Sequence, residues 1–147
     1  MTSTTDLIQL FEVVIPNYIE SFLEYDQYWN LFIRLKKDYK KLAGTGNRDP
    51  LLKASLGMAG AASSGLMVKC QANQEILSSK TTPFLNDGGF DYYSMRNTYN
   101  KLIKLIKYEV YSSKVYNSLD TSIYKMYLEY QKIKPDNNYY ESLKLIG

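Results

Sequence analysis

The sequence predicts an all-α fold, a single-domain bundle of about five helices with one longer loop near residues 79–90. Apolar residues recur at intervals of three and four along most of the chain, as they do on one face of a helix. No stretch alternates convincingly with the two-residue period of a strand, and turn-forming residues separate the helical stretches. A chain of 147 residues has the size of one domain, which we take as residues 1–147.

Turn and capping residues divide the chain into its expected elements. Asp6 is a candidate cap for the first helix, and Pro16 is expected to break or kink the chain before a second helix capped by Asn17. Asp49 and Pro50 have the residue types of an N-cap and a first helical position. The expected helices are roughly 6–15, 17–42, 50–78, 91–116 and 121–134, followed by a short terminal helix at 139–146.

The second helix carries an aromatic row that falls on one side at helical spacing. The row consists of Tyr18, Phe22, Tyr25, Trp29, Phe32 and Tyr39. Rings in such a row either pack into the core of a bundle or form an exposed platform on which nucleic-acid bases stack. Core packing is the favoured interpretation, and it predicts that Trp29 is mostly buried.

The third helix is rich in small residues at its centre. Gly57, Ala61 and Gly65 are spaced four apart, which lets two helices approach closely, either within the domain or across a contact between copies. The apolar stretch between Lys53 and Lys69 is only 15 residues, about 22 Å of helix. That length is short for a membrane span, so no membrane partner is expected.

Residue counts exclude several classes of enzyme and metal site. The chain has no histidine and one cysteine, Cys70, so zinc sites of the Cys/His type and histidine-based catalytic triads are excluded. Carboxylate pairs such as Glu20 and Glu24 are the remaining acid–base candidates, and such residues are common on solvated helix faces. We therefore expect no enzyme activity, no metal and no cofactor. The cysteine count and the Met1 segment predict an intracellular protein, cytoplasmic or within a virion or nucleoprotein particle.

Charge is unevenly distributed along the chain, although the net charge is only +3. Residues 1–33 contain five acidic residues and no lysine or arginine, whereas residues 34–53 carry a net +5. Such asymmetry is typical of a polyanion site or of charge-complementary contacts between subunits, and a solvated surface is the plain alternative. The residues predicted to contact nucleic-acid phosphates are Arg34, Lys37, Lys40, Lys41 and Arg48.

In size, helical class and basic charge, the chain resembles two groups of small helical proteins: the small subunits of CRISPR effector complexes and the helical coat proteins of filamentous viruses. The resemblance implies a protein that repeats along a nucleic acid and contacts other subunits or its own copies. The predicted function is thus a non-catalytic subunit of a multi-copy nucleoprotein assembly that contacts the nucleic-acid backbone. The alternative is a helical protein-binding adaptor or inhibitor that does not touch nucleic acid.

Overall fold

The computed structural model describes residues 3–46, 49–81, 89–108, 121–133 and 138–145. These residues form helices joined by turns, so the all-α prediction is confirmed. In chain order, the elements are α1 (Thr4–Gln9), a π-helical segment (Leu10–Val14), α2 (Ile15–Gly44), α3 (Pro50–Lys80), α4 (Tyr92–Tyr108), α5 (Thr121–Ile133) and α6 (Asn138–Lys144). The predicted loop at 79–90 begins later than expected, because α3 continues to Lys80; residues 82–88 lie outside the described residues. The predicted end of the fourth helix, at residue 116, lies outside them too.

Of the two outcomes predicted at Pro16, a break or a kink, the break is wrong, because the chain remains helical from Thr4 to Gly44. Proline has no N–H group to donate, and its ring crowds the carbonyl group four residues before it. Here that carbonyl belongs to Glu12, inside the π-helical segment Leu10–Val14. The wider π-helical turn alters the local hydrogen-bonding pattern where Pro16 would otherwise disrupt an α-helix, so the helix continues.

Capping explains where two of the helices begin. The side chain of Ser3 accepts a hydrogen bond from the backbone N–H of Asp6 at 3.1 Å, so Ser3, and not Asp6, caps α1. The prediction for α3 is confirmed, since Asp49 Oδ1 accepts from the N–H of Leu51 at 2.9 Å and Pro50 is the first helical residue. Asp49 therefore fixes the point at which the chain turns back from α2 into α3.

The core lies where the N-terminal helical stretch meets α4, α5 and α6. Phe11 is fully buried, with its ring centroid 5.0 Å from that of Tyr130 and 5.5 Å from that of Tyr127. The hydroxyl of Tyr140 donates to the carbonyl oxygen of Phe11. Burial of these large rings supplies much of the apolar area that stabilises the fold. Phe11, in the π-helical segment, thus contacts both α5 and α6.

A buried polar group joins α2, α3 and α4. The hydroxyl of Tyr18 lies 2.8 Å from Gln74 Oε1 and 2.7 Å from the carbonyl oxygen of Met95, so its single proton is placed between two acceptors. The amide nitrogen of Gln74 donates to the carbonyl oxygen of Gly89 at 2.7 Å. Because buried polar groups are costly when unpaired, this network fixes the relative positions of the three helices.

The aromatic row of α2 divides into a buried half and a partly covered half. Tyr18, Phe22 and Tyr25 are buried in the core, as predicted, whereas Trp29 and the two aromatic residues after it are only partly buried. Trp29 stacks on Tyr92 at a centroid distance of 4.7 Å. After Tyr25, α2 has no buried residue, and the first half of α3 buries only Ala59 and Ser63. We call residues 30–44 and 50–66 the distal arm; none of them belongs to the buried core cluster, and among them only the partly buried Leu66 packs against it.

Buried titratable groups predict a loss of stability at high pH. Burial raises the pKa of the Cys70 thiol to about 11 and the pKa of the Tyr25 phenol to about 12. Both groups are neutral when protonated, so the unfolded chain loses these protons at lower pH than the folded chain. The stability they contribute is complete below their ordinary pKa values of 9.0 and 10.0 and is lost as the pH rises towards the folded values. The urea midpoint is expected to fall steadily between pH 9 and pH 11.

A cysteine variant tests that assignment. In Cys70→Ala, which lowers stability at every pH by leaving a cavity, the decline should begin about one pH unit later than in the wild type, since tyrosines then ionise first. Urea titrations followed by circular dichroism at several pH values measure both onsets. A midpoint that stays constant up to pH 11 in the wild type would contradict the prediction.

Candidate functional site

The cations predicted to bind phosphate lie on the distal arm. Arg34, Lys37 and Lys41 are all exposed on the side of α2 that faces away from α3, and Lys40 is exposed beside them. Helical spacing places Arg34 and Lys41 about 10 Å apart along the axis, with Lys37 between them. Arg48, the fifth predicted residue, lies outside the described residues. We call Arg34, Lys37, Lys40 and Lys41 the basic row.

The opposite side of the same helix explains why the basic row points outward. Phe32 packs towards α3, where its ring lies against Gly60, and Leu35 and Tyr39 are partly buried on the same side. The ammonium group of Lys36 lies 5.9 Å from the centroid of the Phe32 ring, within the range of a cation–π contact. The apolar side of α2 is thus used against α3, which leaves the polar side for solvent or a partner.

The charge of the basic row is not neutralised within the described part of the chain. None of its four cations lies within 4.0 Å of a described carboxylate. Asp38 is exposed on the same helix but makes no ion pair with them. Four cations clustered on about two turns of helix raise the local potential well above what a net charge of +3 gives over the whole surface.

A cleft between α2 and α4 adjoins the basic row. Its volume is about 340 Å³, near the lower end of the range for small-ligand pockets. It is lined by Phe22, Leu23, Asp26, Asn30, Tyr92, Arg96, Tyr99 and Asn100. Asn30 lies one helical turn before Arg34, so the polar wall of the cleft and the basic row share one side of α2.

Hydrogen bonds fix the wall of this cleft. Tyr92 donates its hydroxyl proton to Asp26 Oδ1, and Asn30 Nδ2 donates to the same oxygen at 3.2 Å. Burial, and then the bond to Asp26, raise the pKa of Tyr92 to about 12. The phenol is therefore a hydrogen-bond donor at neutral pH and not a base. Arg96 adds an exposed cation on the α4 side, and the arrangement suits binding through stacking and hydrogen bonds.

Sequence reasoning missed this cleft because its walls come from helices more than 60 residues apart. The spacing of Asp26 and Asn30 marks a shared helix face, as does that of Arg96 and Asn100, but neither pair shows that the two faces meet. The Glu20 and Glu24 pair, considered as an acid–base candidate, does not line the cleft. Glu24 lies 4.0 Å from Lys69 on the exposed surface.

The small residues of α3 do not make the predicted close contact within the chain. Gly57, Ala61 and Gly65 are exposed, and no atom lies within 4 Å of a Cβ built on either glycine. Gly60 makes that contact instead, since its Cβ would lie 3.1 Å from a ring carbon of Phe32. Because α3 is apolar on both sides, the four-residue spacing did not show which small residues face α2. The alternative, a contact between copies, stays a prediction.

The helix α3 is the one described helix long and apolar enough to cross a membrane by length and composition. An 18-residue window has a mean hydropathy of 1.3, and only 11% of that window is buried. Core helices of soluble proteins pass the same test, but they are mostly buried, which α3 is not. Its exposed apolar side is therefore available for contact with another molecule.

Comparisons with known proteins do not place the chain in a family. No family model matches it, and neither a curated protein nor a solved structure matches it significantly. Its function is therefore inferred from its own residues.

Proposed function

We propose that the chain binds the phosphate backbone of a nucleic acid through the basic row of α2, as a non-catalytic subunit of a multi-copy nucleoprotein assembly. The observation that supports it is the row itself: Arg34, Lys37, Lys40 and Lys41, exposed together on the outer side of the distal arm and unpaired with any described carboxylate. Cations that replace counterions along a phosphate backbone provide affinity independent of sequence.

The residue types favour backbone contact over base reading. Three of the four cations in the row are lysines, whose ammonium groups act as compact point charges, whereas arginine reads guanine through a two-pronged contact. Asn30 and Arg96 extend the row at the cleft with further hydrogen-bond donors. The protein is therefore expected to bind many sequences with similar affinity.

Replacement of two lysines in the row tests the proposal. Lys37→Ala with Lys41→Ala is expected to weaken binding to random DNA or RNA of any sequence, because two phosphate contacts are lost. The slope of log affinity against log salt should fall by about one for each contact. Both residues are exposed, so the free energy of unfolding should change by less than about 0.5 kcal/mol. Fluorescence anisotropy across a salt series measures affinity and slope together.

The matched control is Lys125→Ala with Lys132→Ala on α5, which removes the same charge from two exposed positions outside the basic row. This variant should retain most of the affinity and the wild-type salt slope. Equal losses in the two double variants would show that net charge, and not the basic row, attracts the nucleic acid. Absence of wild-type binding to both nucleic acids at low salt would reject the proposal.

The exposed apolar side of α3 favours a second candidate, the helical adaptor or inhibitor that binds protein only. Such a protein would show no salt-dependent retention of DNA or RNA, and its Lys37→Ala with Lys41→Ala variant would bind its partner as the wild type does. The anisotropy experiment therefore distinguishes the two functions.

A further inference from the structure

The side of α3 that faces away from α2 is apolar along nearly the whole helix. Residues spaced three and four apart fall in one row there. This row, which we call the outer seam, consists of Leu51, Ala54, Met58, Ala61, Gly65, Val68, Ala72 and Ile76, all of them exposed. Leu51, Met58 and Val68 are 78%, 75% and 61% exposed. The seam is about 38 Å long.

A helix that is apolar on both sides is normally covered on both. In this chain α2 covers one side, and no described element covers the outer seam. The seam itself contains no charged residue; Lys53 and Glu75 lie beside its two ends, and Lys69, which pairs with Glu24, lies beside its middle. Continuous apolar surfaces of this extent mark contacts with another molecule.

We propose that a second copy of this chain covers the outer seam, with the two α3 helices packed antiparallel around a twofold axis near Ala61 and Gly65. The contact is the same surface on both copies, as in most symmetric dimers. It requires no nucleic acid, so it stands independently of the function proposed above.

Side-chain sizes along the seam support antiparallel packing, because they read nearly the same in both directions. From Leu51 the order is large, small, large, small, and from Ile76 backwards it is again large, small, large, small. Antiparallel packing places residues of matched size opposite each other: Leu51 with Ile76, Ala54 with Ala72, Met58 with Val68, and Ala61 with Gly65. The smallest pair lies at the axis, where it lets the two backbones approach most closely.

Charges beside the seam favour the antiparallel orientation over the parallel one. Lys53 and Glu75 are both exposed on the same flank of the seam. In the antiparallel register, Lys53 of each copy lies near Glu75 of the other, which gives two opposite-charge contacts by symmetry. Parallel packing would instead place the two Lys53 residues at the same height on opposite flanks of the contact, where neither meets a Glu75. It would also bring the basic segments 34–53 together, whereas antiparallel packing separates them.

A lipid bilayer fits the outer seam less well than a second copy. The other side of α3 packs against α2, whose distal half carries Arg34, Lys37 and Lys41. To cross a bilayer as this hairpin, the chain would have to carry those cations into the hydrocarbon, which is strongly unfavourable. A second copy covers the seam and leaves the basic row of each chain in water.

Solution mass tests the contact. The wild-type chain is expected to have twice its monomer mass at micromolar concentration. Val68→Glu or Met58→Glu should raise the dissociation constant about a hundredfold or more, because each places two unpaired charges in a desolvated contact. Both side chains are exposed in the single chain, so the helical circular dichroism signal should be unchanged. Sedimentation without nucleic acid measures the mass.

The control is Leu145→Glu, which adds the same charge at an apolar side chain that is 85% exposed and distant in sequence from α3. This variant should remain dimeric. A wild-type chain that is monomeric at about 1 mM overturns the proposal, as does a dimer that Val68→Glu leaves intact. A monomer that floats with phosphatidylcholine vesicles would assign the seam to lipid instead.

Cross-linking tests the orientation. Met58→Cys and Val68→Cys are prepared as separate proteins, one with a larger tag, and are mixed under mild oxidation. Antiparallel packing predicts disulfides between the two proteins only, since residue 58 of one copy faces residue 68 of the other. Cross-links of each variant to itself would overturn the antiparallel register. The native thiol does not interfere, because Cys70 is fully buried.

A charge exchange tests the flanking contacts. Lys53→Glu is expected to raise the dissociation constant by about tenfold, and Lys53→Glu combined with Glu75→Lys should restore it towards the wild-type value. Lack of recovery in the double variant would overturn the register that pairs these two residues.

Discussion

Replacement of Phe11 by alanine is expected to destabilise the fold by about 3–5 kcal/mol, the usual cost of truncating a buried aromatic side chain. The Phe11 ring is fully buried and lies between the rings of Tyr127 and Tyr130. Its loss leaves a cavity where α5 meets the π-helical segment. Because the surrounding side chains are closely packed, they cannot move far enough to fill this cavity. A urea titration followed by circular dichroism measures the change, and the resulting midpoint should lie well below that of the wild type.

Val13→Ala is the matched control for this prediction. Val13 lies two residues away in the same π-helical segment, but its side chain is 50% exposed. Its truncation should therefore change stability by no more than about 0.5 kcal/mol. Equal midpoints for the two variants would show that the segment is not packed against α5 as the structure places it.

Replacement of Gly60 by leucine is expected to destabilise the protein by about 1–3 kcal/mol through overpacking. A Cβ at Gly60 would lie 3.1 Å from a ring carbon of Phe32, and the rest of a leucine side chain would meet that ring directly. The resulting separation of α2 and α3 should affect the distal arm most. Hydrogen exchange of arm amides should therefore increase, together with a lower urea midpoint.

Gly57→Leu provides the comparison on the same helix. No atom lies within 4 Å of a Cβ at Gly57, and leucine is a better helix former than glycine by up to about 1 kcal/mol. The stability of the single chain should therefore stay the same or rise. If Gly57→Leu lost as much single-chain stability as Gly60→Leu, that result would contradict the structure, which places the close contact with α2 at Gly60 and not at Gly57.

Local chemistry made much of the fold predictable from the sequence. The Asp49–Pro50 start of α3 depends on the residue types of an N-cap and a first turn, and the structure confirms it. The exposed positions of Arg34, Lys37 and Lys41 follow from helical periodicity, once Phe32 is placed towards a neighbouring helix. Their role in binding nucleic acid stays a prediction.

Features that depend on contacts between distant segments were not predictable in the same way. Pro16 lies in a continuous helix because of the π-helical segment before it, and periodicity alone does not show a change from α to π geometry. The cleft depends on α4 meeting α2 beside Asp26. For α3, apolar residues on both sides gave no indication that Gly60, and not Gly57, faces Phe32.

The absence of a shared core beneath the distal arm has an energetic consequence. Its two helices hold each other without buried support from the core cluster, so the arm is expected to open locally at a lower free energy than the rest of the fold. When a contact forms on either side of the arm, this opening is suppressed and conformational entropy is lost. Part of the binding free energy of that contact must offset the loss. Once one contact has done so, a contact on the other side forms at a lower cost. We therefore expect the two proposed contacts to be thermodynamically linked, each strengthening the other by the same factor.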